Sequence, residues 1–64
     1  MAPTTHETRA SAIEAVDPDV RFIASIRMAN GFAACGFQSR MEAQRWVSFQ
    51  SGWFHPGSER IEPK

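Results

Sequence analysis

Cys35 is the one thiol of the chain, and His6 and His55 are its two imidazoles. A nucleophilic cysteine needs a base within hydrogen-bond reach and enough exposure to meet a substrate. Neither histidine stands at a motif spacing from Cys35. The alternation around Cys35 places it on the apolar side of a strand, where a thiol is a small packing group. Structural zinc takes four ligands, and these three side chains do not supply them, so both histidines read as surface or turn residues. Glu7, Glu14, Asp17 and Asp19 bring four carboxylates close together in sequence. Acid–base work by such a group requires one member to be desolvated, and these flank a proline turn and a polar helix face. There is no glycine-rich phosphate loop and no serine elbow. The residue types therefore predict no catalytic centre, no metal and no cofactor, and the chain reads as a protein that is not an enzyme.

The elements that would position any functional side chain are few. With 64 residues the sequence supports one small domain, 1–64, with a loose N-terminus over residues 1–5. A chain of this size buries proportionately little surface, and a lone cysteine cannot staple it internally. Stability then depends on good local geometry, on self-association or on a partner, so a homodimer is one expectation. Formal net charge is zero and the pI is near 6.7. That argues against a protein held to its partner mainly by neutralising phosphates, and against an acidic mimic of nucleic acid. The charge is unevenly placed. Residues 1–20 carry four acids against Arg9, whereas residues 21–45 carry four arginines against Glu42. No basic-then-apolar leader pattern and no apolar run of membrane-spanning length is present. A cytoplasmic location, with no membrane, is expected, and a single free cysteine suits a reducing compartment.

Val20 to Met28 alternates apolar and polar residues with period two, the mark of a half-buried strand. Asn30-Gly31 follows, a strong signal for a two-residue hairpin turn. The pattern predicts a β-hairpin, 20–28/32–38, in which Met28 faces Ala33, Ile26 faces Cys35 and Ala24 faces Phe37. Ser39 with Glu42 three residues later forms a capping box and opens a helix over 40–50, stopped near Gly52. Its Trp46 and Val47 should cover the apolar face of the hairpin, each contributing about 2 kcal/mol when buried. Before the hairpin, residues 4–16 support two readings. Thr4 and Glu7 could cap a short helix over 5–16 with Ala10, Ile13 and Val16 on one side, or 9–16 could be a strand. Either stops at the Asp17-Pro18-Asp19 turn. After the helix, Trp53 and Phe54 are too apolar to leave exposed, His55-Pro56-Gly57-Ser58 is a turn signal, and 59–62 is a candidate third strand. The fold class is α+β: a small antiparallel sheet packed on one main helix.

The hairpin register leaves a second face carrying Arg21, Ile23, Ser25 and Arg27 beside Phe32, Ala34, Gly36 and Gln38. With small residues at its centre this face should be flat and basic. Arg40 and Arg45, with Met41, form a second patch on the helix. Arg21, Arg27, Phe32, Arg40 and Arg45 are the expected partner contacts.

The segment Ser39-Arg40-Met41-Glu42-Ala43-Gln44-Arg45-Trp46, following a strand, resembles the arm-binding domains of phage integrases, in which a three-stranded sheet precedes a helix with a Ser/Thr cap, Glu-Ala and an aromatic. The match spans Phe37 to Trp46, and the lysine-rich strands of that family are absent. It implies a DNA-binding module that uses the sheet face. In its size, neutrality and lack of an active site the whole chain also resembles the small α+β inhibitors of phages, including anti-CRISPR proteins. That resemblance implies a non-catalytic phage or mobile-element inhibitor occupying a surface of a host protein machine such as a CRISPR effector. A protein partner is the leading expectation, and nucleic acid or a dimerisation or subunit role the alternatives.

Overall fold

The strand expected over 20–28 forms as β1, Phe22–Met28, in a computed structural model that describes residues 4–50 and 52–64. It is the middle strand of an antiparallel sheet. β2, Gly31–Phe37, lies on one side of it and β3, Arg60–Pro63, on the other, in the order β2-β1-β3. Two helices complete the α+β fold: α1, Arg9–Glu14, precedes the sheet and α2, Arg40–Phe49, joins β2 to β3. The third strand thus comes from the tail, one residue later than expected, and 9–16 is helical for most of its length. Pro63 closes β3 on the outer edge of the sheet, where its missing N–H breaks no ladder.

α2 forms as its sequence predicts. The Glu42 N–H donates to Ser39 Oγ at 3.2 Å, and the chain leaves the helix through Gln50 to Gly52, whose φ is +89°. Ala43 is fully buried against the sheet, because a methyl side chain lets the helix approach closely. Trp46 and Val47 pack on Ile26, Met28 and Ala33, joined there by Phe54 from the tail. Phe54 also pairs with Met28 through an isolated antiparallel bridge. Trp53, expected to be covered like Phe54, is 62 % exposed.

The hairpin register differs from the expected one by two residues. Met28 pairs with Gly31, Arg27 with Phe32, Ile26 with Ala33 and Ala24 with Cys35. The two turn residues are Ala29 and Asn30, and Asn30 does not take a positive φ. Gly31, at φ +137°, is already in the strand. The cause lies outside the hairpin. His6 and Phe32 exchange backbone hydrogen bonds of 2.7 Å each, and the His6 carbonyl oxygen comes so close to Gly31 that a β-carbon there would collide with it. The glycine admits the N-terminal segment to the sheet edge and does not serve as a turn residue. A shift of two preserves which side chains share a face, so the apolar face remains Ala24, Ile26, Met28, Ala33 and Cys35.

α1 begins at Thr8, whose Oγ1 accepts the Ser11 N–H at 3.0 Å, and not at Thr4. With His6 paired to β2 the chain is still extended there, and the helix can start only afterwards. Ala12 is buried and Ala10 exposed, and Ile13 and Val16 are half-buried. Asp17 then caps its own turn by accepting the Asp19 N–H at 2.9 Å. α1 crosses the sheet on the face opposite α2, and Val16 and Val20 close over Gly36. As a result β1 is buried on both faces, including Ile23 and Ser25.

Gly31→Ala should destabilise the fold by about 2 kcal/mol or more, because it combines a disfavoured φ with a backbone collision. Gly57→Ala, at φ +82° in open space, should lose only about 1 kcal/mol. Urea unfolding of the two variants compares them, and equal losses would remove the close approach of His6 as the reason for the glycine.

Candidate partner-binding surface

The flat basic face expected on the hairpin is not open. Ser25, at its centre, is 1 % exposed, and α1 lies across it. The side chain that joins the two layers is Arg9. Its Nη1 donates to Ser25 Oγ at 2.6 Å and its Nη2 to the Ser58 carbonyl at 2.9 Å. Its guanidinium lies 5.1 Å from the centre of the Phe32 ring. Ser58 belongs to the turn His55-Pro56-Gly57-Ser58, which stands beside Arg27 where β3 has not yet begun. The His55 N–H donates to the Arg27 carbonyl at 2.9 Å. The Arg27 N–H donates to Ser58 Oγ at 3.1 Å, and that hydroxyl donates to the His55 carbonyl at 2.6 Å. Burial lowers the Arg9 pKa from its usual value; the Arg60 charge acts in the same direction and Glu62 opposes it.

The five expected contact residues are distributed over four places. Arg27 and Phe32 meet at the hairpin end of the α1 face, the Arg27 guanidinium 5.9 Å from the ring centre. The shifted register brings them opposite each other. Arg21 lies just before β1, exposed, with its backbone bonded to Phe37 on one side and Lys64 on the other. Arg40 folds back over the Phe22 ring at 5.2 Å, beside the tilted Phe37–Trp46 pair whose centroids are 6.0 Å apart. Arg45 stands on the outer side of α2.

On that outer side the expected helix patch keeps Arg45 and Met41 and gains Phe49. Met41 is 63 % and Phe49 84 % exposed. With Arg45 they are spaced four residues apart, so they form one stripe on the side of α2 away from Ala43, Trp46 and Val47. Gln44 and Ser48 line the same shallow depression. The spacing was available in the sequence. Apolarity alone puts Phe49 at the margin of the buried face, whereas the helix geometry puts it with Met41. Arg9 lies four residues before Ile13 and therefore on the same side of α1, but a charged residue at that spacing reads as solvated unless a buried acceptor such as Ser25 faces it.

Among the described residues no group of three or more His, Cys, Asp or Glu side chains is gathered to hold a metal. Cys35 is half-buried opposite Ala24, with its Sγ 4.0 Å from the Gly36 carbonyl oxygen. A cleft of about 490 Å³ opens between α1 and the end of β3, lined mainly by Ile13, Val16, Ile23 and Pro63, with Glu14, Glu62 and Lys64 as its charged groups. No helix among the described residues is long and apolar enough to cross a membrane.

Arg9→Met should lower stability by about 1–3 kcal/mol, since it leaves the buried Ser25 hydroxyl without its partner. Adding Ser25→Ala should recover part of that loss, giving a coupling of roughly 0.5 kcal/mol or more in a double-mutant cycle. Strictly additive losses would show that the two side chains act independently. Comparison of the chain with protein-family models, with curated proteins and with solved structures finds no match.

Proposed function

We propose that this chain is a non-catalytic binding protein that acts by occupying a surface of a larger protein assembly, with the outer side of α2 as its principal contact. The observation that carries this reading is the Met41–Arg45–Phe49 stripe, two large apolar side chains exposed on either side of an arginine. Methionine, arginine and aromatic residues are the types favoured where protein surfaces meet. A domain that buries so little apolar surface of its own gains nothing in stability by exposing Phe49, so the side chain has its value in a complex.

The position of Arg45 favours a different protein over a second copy. Pairing two stripes about a two-fold axis, parallel or antiparallel, brings the two Arg45 guanidiniums together at the centre. A partner that presents a carboxylate ringed by apolar groups meets no such repulsion. An inhibitor of phage or mobile-element type, with a CRISPR effector among its candidate targets, is the form of this role that the chain's minimal size suits.

Phe49→Ser should weaken partner binding by roughly 10–100-fold, the worth of burying a phenylalanine, while leaving the unfolding midpoint unchanged. The check is affinity capture from the native host by the wild-type chain and by Met41→Ser/Phe49→Ser, followed by mass spectrometry. A protein retained by the first and lost by the second supports the reading. Equal capture by both, or capture of nucleic acid alone, overturns it. For an effector target, loss of its cleavage activity on addition of the wild-type chain, and not of the variant, is the corresponding measurement.

A further inference from the structure

Three arginines converge at the hairpin end of the α1 face. Arg60 pairs with Ser25 across β1 and β3, and Arg27 lies two residues along β1 from Ser25. Both side chains therefore leave the sheet on the face from which Arg9 approaches. Neighbouring strands are about 4.8 Å apart and residues two apart on a strand are about 7 Å apart, so the three side chains arise within one small patch. Arg9 and Arg27 both lie against the Phe32 ring, and Arg9 is further fixed by its bonds to Ser25 and Ser58. A guanidinium has five N–H donors. Arg9 uses two of these in its bonds to Ser25 and Ser58.

Such a patch is chemically suited to oxyanions. Guanidiniums bind carboxylate and phosphate through paired N–H donors, and stacking on an aromatic ring holds them in place before the ligand arrives. The surroundings discriminate between the two anions. Glu7, Glu59 and Glu62 lie within two residues of Arg9 or Arg60 in the chain, and Glu62 shares the face of Arg60. The chain as a whole has no net charge. Glu62 already acts on Arg9, so the patch has positive charge enough for one or two acidic side chains, and the longer run of charge on a polyphosphate strand is penalised by all three carboxylates.

We propose that Arg9, Arg27 and Arg60, arranged around Phe32, form a binding site for the carboxylates of an acidic protein segment. The site shares no residue with the α2 stripe, so either surface can fail without the other.

The test is a nuclear magnetic resonance titration of the full chain with acetyl-triglutamate amide at low ionic strength, following the arginine Nε–H and backbone signals. Triglutamine amide and a short single-stranded DNA serve as comparison probes. Saturable shifts at Arg27, Phe32 and Arg60 with triglutamate, absent with triglutamine, are expected. Arg27→Gln/Arg60→Gln, at two exposed positions that leave the Ser25 bond intact, should weaken this binding roughly tenfold or more, and Arg40→Gln/Arg45→Gln should not. No saturable shift, or unchanged binding in the first double variant, overturns the proposal. Tighter binding of the DNA at these same signals also overturns it, by assigning the site to phosphates.

Discussion

Ser25 places a hydroxyl at the centre of the central strand, where water does not reach it. A buried hydroxyl without a partner costs on the order of 1–3 kcal/mol, a serious loss for a domain whose whole stability is small. Arg9 supplies the partner from the opposite layer. Several other features are arranged around that bond. α1 must lie across the sheet with Arg9 on its inner side, the side of Ile13 and Val16. The Ser58 turn must lie close enough to accept its second donor, and Phe32 must stand across from Arg27 to receive the guanidinium. One polar contact thereby ties together a helix, two strands and a turn.

The local elements were legible because their signals are local. The Ser39 cap, the Asp17-Pro18-Asp19 turn, the His55–Ser58 turn and the period-two strand each depend on residues within a few positions of one another. The shifted register, the late start of α1 and the covered sheet face share a single cause, the N-terminal segment. Its pairing at His6 lies 26 residues from Phe32 in sequence and leaves no periodic trace. It converts Gly31 from a turn residue into a point of close approach, which shifts the register, and it delays α1 to Thr8. Ile23 was the available hint: an isoleucine on a face read as open to solvent is better explained by a layer above it.

The candidate surface was legible in its residue types and not in its layout. Arginines 27 and 45, Phe32 and Met41 are all prominent, yet they belong to separate surfaces, because a sheet covered on both sides leaves only its ends and the outer sides of its helices for contact. A helical stripe at spacing four is as readable as a capping box. It was obscured here by the assumption that a phenylalanine belongs inside.

The bond from Arg9 to Ser58 joins residues 49 apart in sequence, whereas the hairpin and α2 are built from near neighbours. Contacts that close long loops carry their entropy cost before they return any energy. The hairpin and α2 therefore suit an early folding nucleus, and the two flanking segments dock on it afterwards. Stabilisation gained after the transition state slows unfolding and leaves the folding rate nearly unchanged. If the flanks dock in that order, loss of the bond from Arg9 to Ser58 speeds unfolding and leaves the folding rate nearly unchanged, because it joins the two segments that arrive last.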